Sequence, residues 1–307
     1  MNKPGRHIMG KKIVTSRVPA LAWICLILLS ASMKTMGQNV VPDSPDSNLW
    51  LSQTPDRTIR GDYRHFELDR LGNLFLMGSQ RNQITEYNKK GDSISHYDNI
   101  RSYGQLSELD VTNPLKIAVY YRDYATIVVL DRYLSPVNTI DLRKSGIWDA
   151  QTIATSYDNQ YWVYDKQEAK IKKVDGQGRV TFVSSDLRQV FDEGVDPAKL
   201  LDRDGLLYAY DPDFGWYVFD YYGALKQKIP IKGLRDPQVT AGFLSGVKAN
   251  RLWLMATGKQ LVAAPFWHDL SSIKVNIRQI LFDGAAGMLW LLTDEGMVGY
   301  SLKVQAN

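Results

Sequence analysis

The feature that most limits what this chain can become is a recurrence. Short apolar segments return along it: "LFL" at Leu74, "LKI" at Leu115, "YWV" at Tyr161, "LLY" at Leu206, and "LWL" at both Leu252 and Leu289. Their central residues, Phe75, Lys116, Trp162, Leu207, Trp253 and Trp290, stand 41, 46, 45, 46 and 37 apart. After each of the first four, a second element closes on Asn88, Asp131, Asp175 or Asp220. Most of these run into a turn ("KKGD", "GQGR", "YYGA") and then into an alternating segment such as "RVTF" or "KQKI". Segments of this length, rich in β-branched and aromatic residues and punctuated by Gly, Asn and Asp, read as strands joined by tight turns.

Each unit therefore reads as four strands. An inner one ("HFELD", "TIATS", "AKLL", "RQILF") precedes the apolar one, and two outer ones follow. Four strands in about 40–45 residues make a propeller blade, so the expectation is an all-β, six-bladed β-propeller over residues 48–307. The apolar second strand recurs because neighbouring blades pack on both of its faces, which makes its aromatic residues core. "DRDG" (202–205) has the look of a calcium loop but lacks the further spaced carboxylates such a loop requires, and reads as a hairpin turn. The sixth unit leaves little chain after its third strand. A closed ring has no free edge, so residues 48–60, "NLWLSQTPDRTIR", are expected to complete the last blade as an N-terminal closing strand. The whole pattern, from about 48 to 302, resembles exported six-bladed propellers of the TolB-like and NHL-like kind. The resemblance is one of architecture.

The first 37 residues carry a different message. Lys3, Arg6, Lys11, Lys12 and Arg17 precede an apolar run at 18–31, and small residues lead to "TMGQ". That order is an export signal, and the run is shorter than the roughly 20 residues a spanning helix needs. Cleavage is expected after Gly37, leaving a Pro/Ser-containing linker at 38–47 and no membrane span in the mature chain. The full sequence has 37 basic and 33 acidic residues. Six of the basic and none of the acidic lie in residues 1–37, so the remainder holds 31 against 33, a net charge of −2. The alkaline balance belongs to the signal, and a nucleic-acid role, which wants a basic face, loses its support. The one cysteine, Cys25, lies in the signal too. The expected setting is the periplasm or cell surface of a Gram-negative bacterium.

No GxSxG, HExxH, P-loop or dinucleotide glycine motif is present. His65 opens an inner strand, while His96 and His268 fall in outer strands, so no histidine metal site is expected and no catalytic residue is assigned. Calcium enters only under one alternative, a propeller-type lactone or ester hydrolase. The inner-strand openings Arg64, Gln105, Gln151, Lys199, Thr240 and Gln279 are poor ligands for it, and the nearby acids Glu67, Glu108 and Asp149 show no converging spacing. Function is expected instead on loops, on the face shared by blade connections and the turns between second and third strands. That face gathers Arg101, Tyr103, Arg122, Tyr124, Trp148, Asp213 and Arg235, residue types favoured at binding hot spots. Its longest loop, 184–198, contains "DLRQVF", long enough for one or two helical turns. The reading is a cofactor-free binding module for an envelope protein, an accessory of an outer-membrane machine being one version. The other alternative is a glycan-binding module using Trp148 and Trp267 as surface aromatics.

Overall fold

Four turns explain the recurrence at atomic level. Asn88, Asp131, Asp175 and Asp220 each turn a side-chain oxygen back to accept from the backbone N–H groups two and four residues on, at 2.8–3.0 Å. The residue three places on takes a left-handed conformation: Gly91, Leu134, Gly178 and Gly223, at φ 89°, 61°, 81° and 84°. Glycine is favoured there because it lacks the Cβ that makes positive φ costly; Leu134 shows that a buried side chain offsets the cost once. "DRDG" likewise closes a hairpin, with Asp204 and Gly205 both at positive φ between paired Arg203 and Leu206, the two-residue geometry that suits twisted strands.

The computed structural model describes residues 49–304 apart from 53, 81–82, 99–102, 241 and 258–264. Residues 1–37 and 38–47, expected to be signal and linker, lie outside the described residues. Two strands come first, β1 (Leu49–Leu51) and β2 (Arg57–Arg60). Blade 1 is β3 (Tyr63–Leu68), β4 (Leu74–Gly78), β5 (Gln83–Tyr87) and β6 (Ser93–Asp98). Blade 2 is β7 (Glu108–Asp110), β8 (Ile117–Tyr121), β9 (Thr126–Leu130) and β10 (Pro136–Asp141). Blade 3 is β11 (Ala150–Thr155), β12 (Tyr161–Asp165), β13 (Lys170–Val174) and β14 (Val180–Val183). Blade 4 is β15 (Lys199–Arg203), β16 (Leu206–Asp211), β17 (Gly215–Phe219) and β18 (Leu225–Ile229). Blade 5 is β19 (Arg235–Thr240), β20 (Phe243–Lys248), β21 (Arg251–Ala256) and β22 (Phe266–Asp269). Blade 6 is β23 (Ile277–Asp283), β24 (Met288–Thr293) and β25 (Gly296–Val304). All pairings within blades are antiparallel, giving an all-β, six-bladed propeller.

The closing strand is the N-terminal one. β1 pairs with the end of β25 and β2 with its start, so one long strand receives two short ones. Between them Ser52 and Asp56 clamp Ser301: Asp56 Oδ2 accepts the Ser301 N–H at 2.7 Å, and the Ser52 N–H donates to the Ser301 carbonyl at 3.0 Å.

Six buried clusters fill the six seams, one between each pair of adjacent blades. Alternate residues of one strand serve two seams. In β8, Ile117, Val119 and Tyr121 enter the seam with blade 1, while Ala118 and Tyr120 enter the seam with blade 3. A strand buried on both faces reads as continuous apolar sequence, which is why these segments stand out.

Polar side chains pin the first strands around the axis. Arg64 donates to the Leu106 carbonyl at 3.3 Å, joining blades 1 and 2. Glu108 accepts from the Ile153 N–H at 3.0 Å, and Thr152 Oγ1 from the Leu200 N–H at 3.2 Å. Arg203 donates to the Val239 carbonyl at 3.3 Å, and Asp236 accepts from the Ile280 N–H at 3.1 Å. Gln279 closes the circle, accepting from the Phe66 N–H and donating to its carbonyl, both at 2.9 Å. Arg64, Gln151 and Gln279 are thus polar because they bridge blades, Gln151 by donating to the Pro197 carbonyl at 3.0 Å.

Blade 5 departs from the expected phase. "LWL" at Leu252 belongs to its third strand, β21, and the second strand is β20. The centre of β20 is Ser245 and Gly246 rather than an aromatic pair, because Leu234 already fills the space: a Cβ on Gly246 would lie 3.0 Å from Leu234 Cδ1. This explains the short final spacing. It also makes Ala256, which opens "ATGK", the end of the third strand, the rest of that segment lying partly outside the described residues, and makes Thr240 the end of an inner strand, not its opening.

Candidate functional site

The expected face is assembled by backbone contacts between turns and connections. Leu142 N–H donates to the Ala125 carbonyl at 2.9 Å, Leu187 to Ala169 at 2.8 Å, Gly233 to Pro212 at 2.8 Å, and Leu270 to Asn250 at 3.1 Å. Each joins the turn between a second and third strand to the connection leaving that blade. The long connection at 184–198 is part of this framework. Its helical turn, Leu187–Val190, is capped by Asp186, and Leu187, Phe191 and Val195 are buried in the seam between blades 3 and 4. Glu193 then accepts from Lys228 Nζ at 2.6 Å and Tyr217 Oη at 2.7 Å, which hold its carboxyl down at about 2.

Four of the singled-out residues gather over blades 1 to 3. Tyr103 is partly buried, its ring 5.4 Å from that of Tyr121. Arg122 opens a short 3-10 turn (Arg122–Tyr124); its N–H donates to Ser107 Oγ at 3.1 Å and its guanidinium to the Gln151 carbonyl. It is a strut between connections. Tyr124 is 48% exposed, with the Arg143 guanidinium 5.8 Å from its ring centre. Gly104, at φ 72°, packs so closely on Tyr124 that a Cβ would meet the ring at 3.3 Å. Trp148 is 65% exposed, because the preceding Ile147 takes the buried place in the seam. Asp213 and Arg235 sit apart, over blades 4 and 5. The Asp213 N–H donates to Asp211 Oδ1 at 2.7 Å, and Arg235 pairs with Asp236 at 3.4 Å where β19 bulges. Arg101 lies outside the described residues. Trp267 is not a surface aromatic: it is 2% exposed in β22, paired with Trp253, with the Arg251 guanidinium 4.8 Å over its ring.

The axis of the ring holds what the spacing of residues did not reveal. A cavity of about 960 Å³ opens toward the turns between first and second strands, and Glu67, Glu108, Lys199 and Gln238 all line it. Glu67 Oε1 pairs with His65 Nε2 at 3.0 Å. Burial works against the charge of Lys199, yet Glu108, Glu67 and Asp110 together raise it above the ordinary lysine range. At the rim, the Tyr157 ring stacks on Tyr221 at 4.8 Å, 7° from parallel. Beneath them Lys173 Nζ lies 4.5 Å from the Trp162 ring centre and pairs with Asp158 at 2.7 Å. Glu67 and Glu108 do converge, then, while Asp149 is exposed on the connection face. They do not compose a calcium shell, since Glu108 is spent on Thr152 and Ile153 and a lysine stands beside them. Among the described residues no group of three or more His, Cys, Asp or Glu is placed to hold a metal ion. No signal in the sequence separates Lys199 and Gln238 from other polar inner-strand residues.

No protein-family model and no curated protein matches the chain. Solved structures do. A streptogramin B lyase shares 13% identity over 83% of this chain and 98% of its own, with a TM-score of 0.56. A putative exported protein from Bacteroides fragilis shares 10% over 86% and 98%, TM-score 0.56. A virginiamycin B lyase from Staphylococcus aureus, in a catalytically inactive form with quinupristin, shares 15% over 78% and 79%, TM-score 0.53. At such identities the likeness is one of fold, a six-bladed β-propeller.

Proposed function

We propose that the chain is an exported binding propeller that holds a protein partner of the Gram-negative envelope against its connection face. The observation that carries this reading is Trp148, a large ring 65% exposed on a framework whose backbone is otherwise locked. Tyr124 and Arg143 stand on the same framework. Aromatic and arginine anchors on a preorganised surface lose little conformational entropy on binding. The basic-apolar-small N-terminus supports an exported setting, and one propeller of like fold is itself described as a putative exported protein. On this reading the polar members serve different ends: Arg122 braces the face, while Trp148 and Tyr124 meet the partner. No cofactor is needed.

The test is affinity capture from solubilised envelopes with the parent protein and with a Trp148→Ala, Tyr124→Ala double variant. A partner retained by the parent and lost by the variant, at unchanged melting temperature, is the expected result. Equal retention by both proteins would move the site off this face.

A further inference from the structure

The axial cavity contains polar groups that the ring does not use. Gln238 is only 7% exposed, lines the cavity and makes no side-chain hydrogen bond among the described residues. Its neighbours on the first strands are committed: Glu108, Arg203, Asp236 and Gln279 all bridge blades. Lys199 makes neither a hydrogen bond nor an ion pair among the described residues, although it lines the same space. Glu67 uses Oε1 on His65 and leaves Oε2 without a hydrogen bond. The free polar atoms of these three side chains open onto the cavity rather than being sealed from it, so a ligand that enters meets hydrogen-bonding groups that the seams do not use.

We propose that this cavity binds a neutral, hydroxyl-rich ligand, a sugar unit of a glycan, through Glu67, Lys199 and Gln238, with Tyr157 as the stacking platform at its mouth. The proposal concerns the face opposite the one assigned to the protein partner and does not depend on that assignment.

Three features select the ligand class. A carboxylate only accepts and an ammonium only donates, whereas a hydroxyl does both. One polyol therefore satisfies Glu67, Lys199 and Gln238 together. Glu108, Glu67 and Asp110 outnumber Lys199, so an anionic ligand would be repelled; a neutral polyol engages donors and acceptors alike, and a cationic ligand is the competitor that the controls test. Finally, Tyr157 is 71% exposed and held flat against Tyr221, with Lys173 beneath both rings. An exposed ring fixed in place offers an apolar face to the C–H side of a pyranose at little entropic cost. At about 960 Å³ the cavity is large enough for a disaccharide.

The experiment titrates the full-length protein with cellobiose, maltose, lactose and N,N′-diacetylchitobiose, read by calorimetry and by intrinsic tryptophan fluorescence, to which Trp290, lining the same cavity, contributes. Glucuronate and ethanolamine are the anionic and cationic controls. At least one disaccharide is expected to bind, with both controls weaker. Lys199→Met and Gln238→Leu should each weaken binding roughly tenfold, and Tyr157→Ala roughly fivefold. Tyr157 is exposed, so its variant reports on binding even if an axial variant fails to fold, and Trp148→Ala should leave sugar affinity unchanged. Absence of binding by all four disaccharides overturns the proposal. So does tighter binding of glucuronate or ethanolamine, or a Tyr157→Ala variant that binds as well as the parent.

Discussion

The two faces of the ring differ in what they leave unused. On the connection face, Arg122 reaches the Gln151 carbonyl and Arg143 the Asp123 carbonyl, and what remains outward is aromatic, Trp148 and Tyr124. Toward the axis the aromatic groups are organised, Tyr157 on Tyr221 over Lys173, and what remains is polar, Lys199 and Gln238. The first surface suits a broad apolar contact, the second a small polar ligand. A propeller offers both because its strands run from one face to the other, so turns of different composition end up on opposite sides.

The contrast collapses entirely if the frame beneath both faces fails. Trp253, wholly buried in the seam between blades 4 and 5, is the place to do this. Trp253→Ala should cost about 3–5 kcal/mol, seen as a large fall in the denaturant midpoint with loss of the binding proposed for both faces. A midpoint within experimental error of the parent would mean that this seam repacks.

A smaller effect separates axis from rim. Gln279→Leu strands the Phe66 N–H and carbonyl at the seam between blades 6 and 1, at about 1–3 kcal/mol. Hydrogen exchange should rise first in β3 and β23, with the connections over blades 2 to 4 still protected. Uniform exchange over all blades would show that the pins act on global stability alone.

The connection face should tolerate loss of its outward rings. Trp148→Ala is expected to change stability by no more than about 0.5 kcal/mol, measured by chemical denaturation. A larger loss would make Trp148 part of the frame and weaken the case for a partner.

The smallest effect depends on pH. Glu193 is held down at about 2 by Lys228 and Tyr217. A carboxylate depressed in the folded state stabilises fully above its unfolded value, near 4.5, and that contribution fades as pH falls toward about 2. Glu193→Gln should therefore flatten the acid limb of the stability profile while leaving it unchanged in shape above pH of about 5. Parallel acid limbs for parent and variant would remove Glu193 from the account.

Much of the ring is legible before any coordinate. The second strands announce themselves because burial on two faces demands unbroken apolar sequence, as in "IAVYY" of β8. The third-to-fourth turns do so because an Asn or Asp oxygen must reach two N–H groups, fixing Asn88, Asp131, Asp175 and Asp220 at like positions. Residues 49–60 close the last blade, β1 and β2 pairing with the two ends of β25. Blade 5 is misread for the complementary reason: with Leu234 occupying the space, its second strand takes a glycine at its centre and an apolar third strand draws the eye. Trp267 illustrates the same limit, since an outer strand gives no hint that Arg251 will cover its ring.

The sequence by itself determined the number of blades, the turn chemistry and the order of strands, because these depend on local hydrogen bonding and on a two-residue alternation that composition must obey. Only the tertiary structure decided which polar groups are used up. Glu108 and Gln279 look no different from Glu67 and Gln238 along the chain, yet the first two bridge blades and the second two do not. That choice is made by the seams, where the twist of each sheet sets which first-strand side chain meets the backbone of the next blade. Side chains from blades 1, 2, 4 and 5 reach one cavity only when the ring closes.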